Sequence, residues 1–231
     1  MKNKVSLSVK SFIAICSVLS VIIACFHAIE DGYSHWGKRL LYFTNLSNIW
    51  IGLTCLVAVI MLLLKKENSK SYRVLIIIKY VFTVSITITC LVFCCLLAPF
   101  AETENYNAWN IASVFAHVIV PVLSVIDFFI EDYQILFTKI HALYSIIPPL
   151  LYFIFCMILS SFGVDFGRGE TYPYFFMNFK TEAGLFGFVG TTNPPQMGTI
   201  YWLALILGLI LGLGFLYRYI FNRIKSKKEK D

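Results

Sequence analysis

The chain has 231 residues, of which 58% are hydrophobic, and its formal net charge is +6 at pH 7. A soluble domain of this size is less apolar, so the composition indicates a polytopic membrane protein. We attribute the positive charge to membrane topology and to contact with anionic lipids, and nothing in it indicates nucleic-acid binding.

Six apolar stretches are long enough to span a bilayer, which takes about 20 helical residues. The predicted spans are Val9–Ala28, Leu40–Leu64, Val74–Leu97, Trp109–Ile130, Ile140–Ser160 and Thr199–Phe221. These segments are too long for barrel strands and do not alternate. The first stretch lacks a cleavage pattern and is interpreted as a retained helix. We therefore predict a single all-α domain over residues 1–231 with six transmembrane helices.

The distribution of Lys and Arg predicts the orientation. Fourteen of them, including Lys10 at the start of the first helix, lie on one predicted side. The other side has only Lys38, Arg39, Arg168 and Lys180. Because cytoplasmic segments carry the excess of positive charge, both termini are predicted to be cytoplasmic, and the connection 161–198 is predicted to lie outside.

The seven cysteines all fall inside predicted spans. A disulfide framework would place them in the outer connections, so we expect them to pack as small apolar residues. No His or Cys cluster has metal-ligand spacing, and we predict no metal and no cofactor.

Polar side chains recur at intervals of three or four residues along the fourth span. Ionisable groups inside hydrocarbon are costly and often functional. Pro121 leaves the carbonyl of His117 without its usual helical donor and should bend the helix beside the imidazole. The polar face is predicted to point to the bundle interior. Its members are Asn110, Ser113, His117, Pro121, Ser124 and Asp127.

Thr44 in the second span lies at a depth similar to that of His117. A threonine hydroxyl becomes a nucleophile when a base accepts its proton, and a neutral histidine is such a base. We therefore predict Thr44 and His117 as a catalytic pair in the outer half of the bilayer. Five further residues are candidates for contacts to a substrate or an oxyanion. They are Asn45, Asn48, Ser113, Tyr172 and Tyr174.

Structural interpretations of these residues stay open. Threonine in a membrane helix commonly bonds to a carbonyl of its own helix, histidine can be a buried structural group, and Asn and Ser join helices. Asp127 lies roughly 15 Å of helix rise from His117. Lys79, at a similar inner depth, is its predicted partner in a structural ion pair. The long aromatic connection 161–198 either covers a binding site or rests on the membrane surface.

The chain resembles the family of the androgen-induced protein and the androgen-dependent TFPI-regulating protein. The resemblance rests on six helices, on Tyr42-x-Thr44 followed by Asn, on His117 with Pro121 and Asp127, and on Tyr172-Pro173-Tyr174-Phe175. It implies a membrane threonine hydrolase of fatty-acyl esters, with Thr44 as the nucleophile and His117 as the histidine. Bacterial relatives of unknown role share similar patterns, which implies a bacterial cytoplasmic membrane. The segment 45–48 is more polar than the family pattern.

Two functions follow as hypotheses. The first is an intramembrane hydrolase of lipid esters in an outer-leaflet pocket, with membrane lipids as partners and a fatty-acyl ester as substrate. The alternative is a non-enzymatic transporter or a small-molecule or lipid-binding protein that uses the polar face of the fourth helix, although the chain lacks the paired repeats typical of transporters. A purely structural role is a third.

Overall fold

The computed structural model describes residues 2–101, 108–131, 135–167, 169–189 and 196–228, so Arg168 lies outside the described residues. Six helices in these ranges are long and apolar enough to cross a membrane, which confirms the predicted all-α class. They are α1 (Lys2–Phe26), α2 (Phe43–Leu63), α3 (Lys70–Leu97), α4 (Ile111–Ile130), α5 (Lys139–Ser161) and α6 (Thr199–Lys228).

Two of the helices contain a wide, π-helical turn. In α3 the turn is Phe93–Leu97, and in α4 it is Phe115–Ile119. Pro121 directly follows the second turn and has no N–H for the carbonyl of His117. Within that turn the N–H of Val120 bonds to the carbonyl of Phe115, five residues back. The disturbance predicted beside Pro121 is therefore a widened turn, and His117 lies in it.

The helix α3 is central to the bundle, since it contacts α2, α4, α5 and α6, while α1 packs on α2 and α4. The crossing of α1 and α2 is close at Gly52. A Cβ atom built on Gly52 would lie 2.8 Å from the Cβ of Ser17. Small residues at such crossings are typical of membrane bundles, where close van der Waals packing drives helix association.

The start of α2 differs from the prediction. The span was predicted from Leu40, but α2 begins at Phe43. The preceding residues form a 3-10 helix, Trp36–Leu41, which is capped by His35. Because Leu40 and Leu41 are apolar, hydropathy extends the predicted span over this separate turn. The correction places Thr44 at the second residue of α2, in its first turn.

The described part of the connection between α5 and α6 (residues 162–167, 169–189 and 196–198) is folded against the end of the bundle where α2 begins. It contains a 3-10 helix, Phe175–Met177, and a short antiparallel pair of β1 (Phe188–Val189) and β2 (Gln196–Met197). Phe176 and Met177 are buried in one cluster with Phe43 of α2. We call this segment the long connection.

The long connection is also tied to the segment between α1 and α2. Lys38 and Asp165 form an ion pair. The lysine holds the pKa of Asp165 below its ordinary value, chiefly through this hydrogen bond. Gly167 approaches the ring of Tyr33 so closely that a Cβ would lie 2.1 Å from a ring carbon. These contacts fix the long connection over the candidate site described below.

A buried ion cluster joins α1, α3 and α4. Lys79 pairs with Asp127, and Nζ of Lys10 lies 2.9 Å from the other oxygen of the same carboxylate. Lys10 also pairs with Glu131. The side chains of Lys10, Lys79 and Asp127 are fully buried. Two cations facing two carboxylates offset the cost of their desolvation. Lys10 was predicted to be a charge flanking the first helix, and this interpretation is wrong.

Candidate active site

Thr44 and His117 are in direct contact. The Oγ1 atom of Thr44 lies 3.2 Å from Nε2 of His117. Thr44 is supplied by the first turn of α2, and His117 by the π-helical turn of α4. Among the described residues, the Thr44 hydroxyl has no carbonyl of its own helix as a partner, so the back-bonded arrangement common for membrane threonines does not apply.

The second ring nitrogen of His117 determines which atom carries the proton. Nδ1 lies 2.8 Å from the carbonyl oxygen of Ser113. A carbonyl only accepts hydrogen bonds, so Nδ1 is the protonated nitrogen and Nε2 presents its lone pair. The Thr44 hydroxyl therefore donates to Nε2. A backbone oxygen here orients the imidazole, as a carboxylate does in a catalytic triad.

The imidazole is also held on one face by an aromatic ring. The centroids of Phe93 and His117 are 3.8 Å apart, with 18° between the ring planes. Phe93 begins the π-helical turn of α3 and is itself buried. The Trp109 ring packs edge-on against the Phe93 ring, with centroids 5.3 Å apart. Two π-helical turns therefore meet at the histidine, and such turns are frequent at functional sites.

The two predicted asparagines are engaged with backbone carbonyls. Nδ2 of Asn48 donates to the carbonyl of Thr44 at 2.8 Å and to that of Ala116 at 3.0 Å. An amide has two N–H donors, so both donors of Asn48 are occupied. Nδ2 of Asn45 donates to the carbonyl of Arg39 at 2.7 Å. Asn48 therefore sets the spacing of α2 and α4 at the site rather than contacting a substrate.

Tyr174 of the long connection reaches Thr44. The N–H of Thr44 donates to the hydroxyl oxygen of Tyr174 over 3.4 Å, and the phenol also contacts the Thr44 side chain. The Tyr174 ring stacks on Phe176 and meets Tyr42 edge-on, with centroids 5.2 Å and 5.7 Å apart. Burial raises the pKa of Tyr174 to about 12, so its hydroxyl is protonated at neutral pH.

A cavity of about 890 Å³ adjoins the pair, between α1, α2, α4 and the long connection. Its volume is within the usual range for small-molecule sites. Ser113 and Tyr172 line it, so the structure brings these two candidates to the same space as Thr44 and His117. The lining also includes the charged residues Asp31, Arg39 and Glu170. We call this space the polar cavity.

A second, much smaller and almost wholly apolar space of about 70 Å³ lies between α3, α5 and α6. Thr44, Leu97 and Tyr174 line both this apolar groove and the polar cavity. Thr44 is therefore at the junction of a polar and an apolar compartment. The aliphatic and aromatic members of the groove include Ile88, Val92, Phe153, Leu203, Ile206 and Leu207.

Two site residues were missed by the sequence reasoning. Arg39 was treated as a flanking charge, yet it pairs with Asp31, and its guanidinium carbon lies 4.2 Å from the ring centroid of Tyr33. Phe93 has no distinguishing signal, since one phenylalanine in an apolar span looks like any other. Within the described ranges, no three His, Cys, Asp or Glu side chains are grouped as ligands for a metal ion.

No family profile, curated protein or solved structure shows a significant match to this chain. The resemblance to the androgen-induced protein family therefore stays a prediction.

Proposed function

We propose that this protein is an intramembrane hydrolase of lipid esters, with Thr44 as the nucleophile and His117 as the general base. The observation that carries the proposal is the contact of the Thr44 hydroxyl with Nε2 of His117 at 3.2 Å. A second observation supports the proposal: the carbonyl of Ser113 holds the imidazole in the tautomer that can accept a proton at Nε2. Activation of a hydroxyl by an adjacent oriented base is the general requirement for nucleophilic catalysis by threonine.

The reaction has two steps. In the first, Oγ1 of Thr44 bonds to the ester carbonyl carbon while its proton passes to Nε2, and the carbonyl π electrons move to oxygen. The tetrahedral intermediate then breaks its bond to the alcohol oxygen, which takes the proton from Nε2. In the second step, water attacks the acyl-threonine carbonyl while its proton passes to Nε2 of His117. The bond to Oγ1 of Thr44 then breaks, Oγ1 takes the proton from Nε2, and the fatty acid is released, which restores both side chains to their starting states.

The two compartments support an amphipathic ester as the substrate. The apolar groove between α3, α5 and α6 is about 70 Å³ in volume and suits the first carbons of an acyl chain, because burial of each CH₂ group contributes about 0.8 kcal/mol. The polar cavity, with Asp31, Arg39 and Glu170 in its lining, suits the alcohol portion. With Thr44 between them, the scissile carbonyl would lie where the acyl chain meets the polar part. We place this site in the outer leaflet, following the predicted orientation.

The test is covalent labelling of the purified protein in detergent with a fluorophosphonate probe, together with hydrolysis of a fatty-acyl ester. The variant Thr44→Val keeps side-chain volume and removes the nucleophile, so we expect loss of both signals. The matched control is Thr54→Val on the same helix, because the Thr54 hydroxyl bonds to the carbonyl of Trp50 in its own helix. Labelling that persists in Thr44→Val would contradict the nucleophile assignment.

The alternative is a transporter or a binding protein that uses the polar face of α4. The polar cavity is the observation in its favour, since a cavity of this size can hold a solute without chemistry. Asp127 on the same face is committed to Lys10 and Lys79. Solute uptake into liposomes that is lost in Asp127→Asn, without any hydrolysis by the parent protein, would favour this alternative.

A further inference from the structure

We infer that the Tyr174 hydroxyl and the Thr44 N–H together form the oxyanion site of this enzyme. The long connection between α5 and α6 would then supply a catalytic group to a pair carried by α2 and α4. This inference rests on the proposed hydrolase function. It adds the group that stabilises the negative charge, which is often the largest single contribution to acyl-transfer catalysis.

The first donor follows from the position of Thr44 in its helix. The first four N–H groups of a helix have no acceptor within it. Thr44 is the second residue of α2, and the preceding Tyr42 makes no side-chain capping bond. The Thr44 N–H is instead directed at the hydroxyl oxygen of Tyr174, over 3.4 Å. This long bond leaves the N–H available to a better acceptor, and the positive end of the helix dipole favours an anionic one.

The second donor follows from the hydrogen-bond capacity of a phenol. The Tyr174 oxygen accepts from the Thr44 N–H, and the hydroxyl also has hydrogen-bond contacts with the side chains of Thr44 and Tyr152. A phenol has one hydrogen to donate, and this hydrogen can turn from those hydroxyls to an anionic oxygen, which is the stronger acceptor. Burial keeps that hydrogen in place, since the Tyr174 pKa is raised to about 12. When Oγ1 of Thr44 attacks, the carbonyl oxygen becomes an oxyanion two bonds away from Oγ1. Both donors are then close to it. The N–H of the nucleophile serves this purpose in serine proteases as well.

The other polar side chains near Thr44 donate hydrogen bonds to backbone carbonyls. Both donors of Asn48 are bound to the carbonyls of Thr44 and Ala116. Asn45 donates to the carbonyl of Arg39. His117 donates through Nδ1 to Ser113 and accepts the nucleophile's proton at Nε2. Tyr174 is the side chain that contacts Thr44 while lining both the polar cavity and the apolar groove.

The aromatic surroundings of Tyr174 hold its hydroxyl in place. Its ring is stacked on Phe176 with 8° between the planes, and it meets Tyr42 at 86°. Both contacts involve the ring and would survive removal of the hydroxyl. The variant Tyr174→Phe therefore deletes one hydrogen-bond donor while the packing that orders the long connection is retained.

The test compares Tyr174→Phe with the parent protein in ester hydrolysis and in the rate of fluorophosphonate labelling. We expect kcat to fall about 100- to 1000-fold, as it does on removal of one oxyanion donor. KM should change little, because the donor acts on charge that develops in the transition state. Labelling should slow in parallel. The matched control is Tyr201→Phe, whose ring packs on Phe188 near the same end of the bundle.

Three results would overturn the oxyanion inference, and they differ in what they mean for the hydrolase proposal. A kcat for Tyr174→Phe within threefold of the parent value, with labelling at Thr44 intact, would overturn the oxyanion inference and leave the hydrolase proposal standing. A raised KM together with a lowered melting temperature would indicate a structural role and would also overturn it. A parent protein that neither labels nor hydrolyses esters would remove both proposals.

Discussion

Asn48 links Ala116 to Thr44, the proposed nucleophile, because its side-chain amide donates to the carbonyls of Thr44 and Ala116 at 2.8 Å and 3.0 Å. Ala116 immediately precedes His117 in the π-helical turn of α4. One side chain therefore joins the backbones on which the candidate base and nucleophile are mounted. We therefore expect the contact of Oγ1 with Nε2 to depend on this link between α2 and α4.

We expect Asn48→Leu to weaken the site more than it weakens the fold. The buried carbonyl of Ala116 loses a donor, which costs about 1–3 kcal/mol. The Thr44–His117 spacing relaxes, so fluorophosphonate labelling of Thr44 should slow by about tenfold or more, the equivalent of ~1.4 kcal/mol. The control is Ser85→Ala, since the Ser85 hydroxyl bonds within its own helix, to Val81. Unchanged labelling in Asn48→Leu would show that the link is dispensable.

The buried ion cluster makes a prediction about stability. In Asp127→Leu, Lys79 loses the carboxylate it pairs with, while Lys10 keeps Glu131 and its hydrogen bond to Ser6, so we expect a loss of about 3–5 kcal/mol. The double variant Asp127→Leu/Lys79→Met also removes the buried cation whose carboxylate is lost, so it should recover much of that loss. Unfolding by detergent titration would measure both. Equal stability of the single and double variants would argue against the charge balance.

The close crossing of α1 and α2 predicts the effect of a larger residue at Gly52. A Cβ there would lie 2.8 Å from the Cβ of Ser17, so Gly52→Val must separate the helices. We expect a loss of about 1–3 kcal/mol, as for overpacked cores. The control is Gly208→Ala on α6, where a Cβ meets nothing within 4 Å. That change should be neutral or stabilising, because Ala favours a helix over Gly by about 1 kcal/mol.

The attachment of the long connection should depend on pH through Asp165. Its pKa in the folded protein is below the ordinary value of 3.8, chiefly because of its hydrogen bond with Lys38. The stabilisation is therefore complete above pH 3.8 and is lost as pH falls through the lower folded value. The pair is partly exposed, so its contribution is at most about 1 kcal/mol. The protection factors of amides around Asp165, which are corrected for the intrinsic pH dependence of exchange, should fall on acidification in the parent protein.

The variant Asp165→Asn separates this effect from general acid denaturation. It lacks the titrating carboxylate, so its exchange near the same position should already be raised at pH 6 and should change less on acidification. A parent protein and a variant with identical pH profiles would show that the Lys38–Asp165 pair does not hold the long connection.

The apolar groove predicts selectivity for acyl-chain length. Leu207 lines the groove, and Leu207→Phe would fill part of it. We expect kcat/KM for long-chain esters to fall relative to short-chain esters, since each displaced CH₂ group forfeits about 0.8 kcal/mol of burial. The control is Leu209→Phe, because Leu209 is exposed on the outside of the same helix. An unchanged chain-length profile in Leu207→Phe would show that the acyl chain lies elsewhere.

The six helices could be predicted because a run of about 20 apolar residues is a local property of sequence. Proximity of Thr44 and His117 was predictable in outline from their similar depth. The buried position of Lys10 was not, because its partners Asp127 and Glu131 are more than 100 residues away. Contacts between distant helices decide whether a terminal lysine is solvated or enclosed, and no local pattern records them.

The roles of the asparagines show a similar limit. Asn45 and Asn48 were reasonable donors to a substrate on residue type alone. Both N–H groups of Asn48 are taken by the carbonyls of Thr44 and Ala116, and one N–H of Asn45, which lines the polar cavity, is taken by the carbonyl of Arg39. Competition between backbone and ligand for one amide is settled by the three-dimensional placement of the carbonyls, so residue type identifies a candidate without assigning its role.

The π-helical turn at Phe115–Ile119 sets the rotation of one half of α4 relative to the other, and therefore the directions in which His117 and Asp127 face. A π turn accommodates one residue more than an α turn, and one residue corresponds to about 100° of rotation about the helix axis. Deletion of one residue from this turn would let α4 close into regular α-helix and would swing one half of it by that angle relative to the other. His117 and Asp127 could then no longer both face the partners they have now. The Thr44–His117 pair and the ion cluster are thus coupled through this widened turn. We expect changes of length to be tolerated at the two ends of α4 but not between the pair and the cluster.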